Sequence, residues 1–199
     1  KGQTMSERDV MEYDVAVIGA GPAGLAYAIR LKQINPERMI CVLEKGSEVG
    51  AHSLSGAVLD PGSLDQLLPE WRQNPPAICV PAKDDIFLKL SKTGAMKLPT
   101  PPQQNNHGNF IISQGQLVKW MAEQAEALEV DVFPGFAGAE ALFGENNEVI
   151  GVRVGDMGLE SDGAPGAAYT AGVDIHAKLT VLAEGCRGSI TKQLIKRYE

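Results

Sequence analysis

Tyr13-Asp-Val-Ala-Val-Ile18 runs straight into Gly19-Ala-Gly-Pro-Ala-Gly24, and Ala23 to Ile34 then spaces Leu25, Ala28, Ile29 and Leu31 at helical intervals. Strand, glycine turn and helix succeed one another without a gap. Asn35-Pro36 stops the helix and Met39 to Leu43 forms a second apolar run, which completes a βαβ unit of about 30 residues. In that setting the GxGxxG spacing is a dinucleotide fingerprint: Gly19 for the tight turn, Gly21 for close approach of a pyrophosphate, Gly24 for close packing of helix on strand. The helix N-terminus receives the phosphate charge. Glu44 ends the second strand 20 residues after Gly24, where a carboxylate accepts hydrogen bonds from ribose hydroxyls and repels a 2′-phosphate, so NADP is disfavoured.

The segment beyond Glu44 separates FAD from NAD. The loop Gly50-Ala-His-Ser53-Leu-Ser55-Gly56 offers backbone N–H groups and hydroxyls past the second strand, where the longer FAD molecule extends. Ser53 and Ser55 have an equally good alternative as loop serines capping their own backbone. His52 and His107 sit in Gly/Ser/Asn-rich loops and read first as polar loop residues, with flavin contact as the alternative. Leu182-Ala-Glu184-Gly185 ends a later strand before Cys186-Arg-Gly188 and a helix, a backbone turn able to close over the same cofactor.

The remaining pattern predicts a short helix over 63–71, a strand over 86–90, an amphipathic helix over 116–128 and a strand over 130–133. Gly144-Glu-Asn-Asn147 predicts a hairpin between 139–143 and 149–154. A third antiparallel strand is expected over 169–176, then a buried strand over 178–183. The segment 74–106 holds six of the 12 prolines and reads as an excursion from the core. Trp71, Trp120 and Tyr198 lie on helix faces and read as packing residues.

Composition removes several function classes. With 18 basic and 25 acidic residues the net charge is −7, which disfavours a general nucleic-acid binder. No apolar run approaches membrane-spanning length. Cys41, Cys79 and Cys186 are odd in number and widely spaced, so neither a disulfide framework nor a metal cage is expected, and a reducing compartment is the simpler reading. Cys186 has no resolving cysteine at CxxC spacing and reads as a structural thiol. Residues 1–12 read as a polar tail without a targeting signal, with Met5 a candidate native start. Ser189 to Glu199 keeps helical spacing to its last residue, so the chain looks like a fragment.

Several stretches together resemble one family, electron transfer flavoprotein–ubiquinone oxidoreductase. They are GAHSLSGAVLDPGSLDQLLPEW from Gly50, NNHGNF from Asn105, LVKWMAEQAEAL from Leu117, and SDGAP through LAEGCRG between Ser161 and Gly188. The resemblance implies a Rossmann-like α/β FAD-binding domain of the glutathione-reductase type over 13–199, with an antiparallel β-meander insertion and the C-terminal part of the fold lacking. It implies FAD held by Gly19, Gly21, Pro22, Ala23, Gly24, Glu44 and Lys45. Gly50, Ser55 and Gly56 would lie near the pyrophosphate and flavin, and Glu184 and Gly185 in the later turn.

No catalytic side chain is implied, because cofactors carry the electrons. The partners implied are electron transfer flavoprotein, ubiquinone and a peripheral membrane surface. That surface would be the cytoplasmic side of a bacterial inner membrane or the matrix side of the mitochondrial one. The excursion would touch it, although Lys92, Lys97, Gln103, Gln104 and Asn105 make the contact shallow. The family's 4Fe–4S iron–sulfur cluster needs four cysteines, a set this sequence lacks. The competing readings are a geranylgeranyl-reductase-like or hydroxylase-like flavoenzyme, and a non-catalytic nucleotide-binding module.

Overall fold

The apolar runs nearest the start of the chain form the middle of a six-stranded sheet in the computed structural model, which describes residues 8–53, 56–159 and 164–199. In chain order the elements begin with β1 (Val10–Ile18), α1 (Pro22–Ile34), β2 (Ile40–Glu44), β3 (Ala57–Leu59) and α2 (Gly62–Leu67). Next come β4 (Cys79–Pro81), β5 (Phe87–Leu90), β6 (Ala95–Leu98), β7 (Phe110–Ile112) and α3 (Gln114–Ala127). The rest is β8 (Asp131–Pro134), β9 (Gly138–Phe143), β10 (Val149–Val154), β11 (Met157–Leu159), β12 (Pro165–Thr170), β13 (Asp174–Leu182) and α4 (Ser189–Tyr198). Two units emerge: one holds the residues through His52 together with 118–199, the other holds 53–117.

In the first unit the strand order is β8-β2-β1-β13-β10-β9. The first four run parallel, and β10 and β9 add an antiparallel edge. Parallel strands are covered on both faces, which is why Val15 to Ile18 and Ile40 to Leu43 are continuous apolar runs, all buried. Ala16, Ile18, Cys41 and Leu43 join Val152, Val154, Ile175, Ala177 and Ile190 of α4 in one core.

Two expectations are corrected here. Strand β1 starts at Val10 and pairs with β13 from Val10 to Ile18, so Val10 to Glu12 are sheet rather than tail. The separate strands expected over 169–176 and 178–183 are in fact β12, which ends at Thr170 and pairs with β11, and one continuous β13. Asp174, Ile175 and His176 pair antiparallel with β10 while the whole of β13 runs parallel to β1. Lys178 interrupts the apolar pattern without interrupting the strand, because backbone pairing with β1 runs past it on both sides, and its exposed ammonium group donates to Asp14 at 2.7 Å.

The second unit contains the antiparallel sheet β3-β7-β4 and the separate hairpin β5–β6; the expected excursion lies within it. Its helix is shorter than the expected 63–71. Helix α2 stops at Leu67 because Leu68 precedes Pro69 and is driven to φ −135°, ψ 77°. Trp71 begins a separate 3₁₀ turn. It is buried as expected, its indole N–H donating to Asp65 at 2.6 Å and its ring standing edge-on to Phe110.

Candidate dinucleotide site

Three strand ends, those of β1, β2 and β13, converge at one edge of the parallel sheet. The Gly19 N–H donates to the Leu43 carbonyl at 2.8 Å, and the Ala183 N–H donates to the Ile18 carbonyl at 2.9 Å. The turn after β1, the end of β2 and the turn after β13 therefore share one edge of the sheet, the edge where open α/β sheets bind ligands.

The glycines of the first turn divide by what a side chain would meet. Gly19 adopts φ +110°, and a β-carbon there would lie 2.5 Å from the Ala183 carbonyl oxygen. At Gly24 it would lie 2.1 Å from the Gly19 oxygen and 3.1 Å from both Val17 and Ala183. Both are required by the protein's own packing. Gly21 is different: its φ is ordinary and nothing lies within 4 Å of its missing β-carbon. Ala183, whose carbonyl closes over Gly19, was invisible to spacing arguments because only the fold brings it there.

Gly21 is also the N-cap of α1, and no side chain caps that helix, no acidic residue occupies its first turn, and Pro22 opens it. Free N–H groups at a helix start, beside a cleared backbone, suit a pyrophosphate. Pro22 and Ala23 are exposed and Gly24 is buried.

Glu44 is held by backbone. One carboxylate oxygen accepts the Ala20 N–H at 3.2 Å and the other the Gly46 N–H at 2.7 Å. A carboxylate has roughly four acceptor positions, so hydroxyl groups can still bind it. His52 Nδ1 stands 3.9 Å from Glu44 Oε1, beside the acidic residue at the end of β2. Lys45 is exposed and Gly50 takes φ +88°. Gly56, at φ +79° with open space around its missing β-carbon, belongs to the second unit, as does exposed His107, and Ser55 lies outside the described residues.

Glu184 has a structural task that spacing did not reveal. Its carboxylate accepts the N–H groups of Ser189, Ile190 and Thr191 at 2.9–3.2 Å, and the Thr191 hydroxyl. Burial pushes its pKa up, but these hydrogen bonds outweigh it and hold the carboxyl below its usual range. Only the Glu184 backbone is left for a ligand. Gly185 comes next, exposed at φ +74° with open space beside it.

A family profile described as an NAD(P)-binding Rossmann-like domain matches residues 17–71. The mitochondrial electron transfer flavoprotein-ubiquinone oxidoreductase of Oryza sativa subsp. japonica is 50% identical over 196 residues, 96% of this chain and 34% of the relative. Its counterpart in Pseudomonas aeruginosa is 49% identical over 201 residues, covering 96% of this chain and 36% of the relative. This chain is homologous to those oxidoreductases along nearly its whole length. It spans about a third of theirs. Among solved structures, the flavin-dependent monooxygenase PieE in complex with FAD and substrate superposes with a TM-score of 0.65 at 16% identity, covering 92% of this chain and 32% of PieE. At that identity the likeness is one of fold.

The 4Fe–4S cluster implied by the family resemblance does not fit this chain. Cys41 is buried in β2, Cys79 is half-buried in β4 and Cys186 is exposed after β13, and a cubane cluster needs four thiolates. Among the described residues no group of three or more His, Cys, Asp or Glu is placed to hold a metal.

Proposed function

We propose that this chain holds FAD at the carboxyl edge of its parallel strands, as the cofactor-binding part of an oxidoreductase that takes electrons from reduced electron transfer flavoprotein and passes them to ubiquinone. Gly21 is the observation that carries the reading. Packing accounts for Gly19 and Gly24, whereas the open space at Gly21, in front of an uncapped helix, is explained by a ligand backbone.

Bound FAD supplies the ability to accept and release electrons. The chain's own residues hold and orient it. The N–H groups at the start of α1 receive the pyrophosphate, with Pro22 presetting the helix and Ala23 and Gly24 presenting their backbone. Glu44, fixed by Ala20 and Gly46, accepts the ribose hydroxyls, with Lys45 alongside. Gly50 tracks the cofactor beyond the reach of NAD, and the Glu184–Gly185 backbone closes over it. On this reading 13–199 is the FAD-binding domain and 74–106 its contact with a membrane face. That face is the cytoplasmic side of the bacterial inner membrane or the matrix side of the mitochondrial one.

Purified protein titrated calorimetrically with FAD, NAD and NADP tests the site. Tight binding of FAD alone is expected, and a preference for NADP overturns the reading.

A further inference from the structure

Gly46 is buried just beyond β2, its N–H donating to Glu44 Oε1 at 2.7 Å and its carbonyl oxygen accepting the Gly135 N–H at 2.7 Å. Its φ lies outside the left-handed region, so backbone conformation does not call for glycine there. Space does. A β-carbon would press on the Glu48 carbonyl oxygen at 3.0 Å, and on Glu44 Oε1 and His52 Nδ1 at 3.1 Å each. The turn is tightened by the Ala51 N–H donating to the Glu48 carbonyl at 3.3 Å and by Gly50 at φ +88°. It thereby brings an imidazole back to the carboxylate that ends β2.

The two groups approach without bonding. His52 Nδ1 and Glu44 Oε1 are 3.9 Å apart, beyond hydrogen-bond range, and the His52 side chain is 62% exposed against 14% for Glu44. Among the described residues His52 makes no hydrogen bond. Glu48, the other carboxylate of the turn, stands 3.7 Å from Lys119 instead. The 3.9 Å gap is one that a single hydroxyl spans, because an oxygen about 2.8 Å from both atoms can donate its proton to the carboxylate and accept from the imidazole. A phosphate oxygen accepts only, and would face the Glu44 charge. A loop histidine turned to solvent would account for the exposure of His52, but not for two polar atoms closing on the space that Gly46 leaves free.

We propose that His52 reads the adenosine ribose together with Glu44, its Nδ1–H donating to the same hydroxyl whose proton Glu44 accepts. The inference rests on the FAD site proposed above and adds a contact that Glu44 alone does not supply. The carboxylate charge favours the proton on Nδ1, the nitrogen that faces it. The pair then reads one hydroxyl in both directions, Glu44 taking its proton and His52 its lone pair. A sugar lacking that hydroxyl leaves both side chains without a partner, so the pair selects ribose over deoxyribose. The His52 share of that selection is one hydrogen bond, about five-fold in affinity.

The test titrates the full chain with FAD and with its 2′-deoxyadenosine and 3′-deoxyadenosine analogues, for the parent, for His52→Ala, and for His52→Asn, whose amide N–H replaces Nδ1–H. His52→Ala should bind FAD about five-fold more weakly, and its preference for FAD over one of the two analogues should shrink by the same factor. His52→Asn should retain most of both. The position is exposed, and circular dichroism checks that the variants fold. A preference that is absent in the parent, or unchanged in His52→Ala, overturns the proposal and leaves the FAD site standing, because a merely structural His52 would weaken all three ligands alike. Failure of the parent to bind FAD overturns both.

Discussion

The Gly19 carbonyl oxygen lies 2.1 Å from the point a β-carbon on Gly24 would occupy. The end of β1 and the first turn of α1 can coexist only while residue 24 has no side chain. Gly24→Ala should therefore cost about 2–4 kcal/mol of stability, and Gly19→Ala a similar amount because it adds a clash with Ala183 to an unfavourable φ. Gly21→Val should behave oppositely, keeping nearly the parent melting temperature while abolishing FAD binding, since nothing in the protein opposes its side chain. Thermal unfolding and flavin titration on the three variants separate the two kinds of glycine. Loss of stability in Gly21→Val with binding intact would reverse the assignment.

Glu44 joins two backbone segments, Ala20 in the first turn and Gly46 after β2. Glu44→Ala leaves both N–H groups without their charged acceptor and removes the ribose partner, so FAD affinity should fall by roughly 1–3 kcal/mol. Glu44→Gln keeps one acceptor oxygen and should fall between parent and Ala. Fluorescence quenching on FAD addition gives the affinities, and an unchanged Glu44→Ala would put the ribose elsewhere.

The first βαβ unit was legible in the sequence because each of its signals is local and they agree: an apolar run, a glycine turn, a helix periodicity and a proline stop. Glu184 was legible by position but not by role, since the N–H groups it caps lie five to seven residues further on. Strands β3, β4 and β7 span three residues each, too few for a period-two pattern to stand out. The continuity of β13 was hidden because the expected strands 169–176 and 178–183 part at Ala177, and only the pairing of Asp174 to Leu182 with β1 joins them.

Acid should loosen α4 through Glu184. Its folded pKa lies below the ordinary 4.5, so the deprotonated group contributes stability above the unfolded value, and that contribution is lost as pH falls through the folded one. Asp14, held down to about 2 by the Lys178 hydrogen bond and the Met39 N–H, and Asp174, lowered by Arg153, act in the same direction. The test is therefore a difference. The melting temperature of Glu184→Gln should lie below the parent at neutral pH and converge on it as pH falls below 4.5. A constant offset would mean that the charge of Glu184 does not hold the helix.

Thiol reactivity should track burial in three steps. Cys186 is exposed and should react with a disulfide reagent at once, Cys79 is half-buried with its pKa raised by burial, and Cys41 is buried in the sheet. Burial, with the nearby Asp131 charge adding to it, pushes the Cys41 thiol up to about 12, leaving almost no thiolate at neutral pH. One fast, one slow and one denaturant-dependent thiol are expected. Because a cubane cluster needs four thiolates and the sequence supplies three, reconstitution with iron and sulfide should leave the protein without bound cluster, by iron analysis and by the absence of a visible absorption band. Stoichiometric iron, or protection of all three thiols after reconstitution, would mean that the chain binds a cluster with a ligand other than a fourth thiolate.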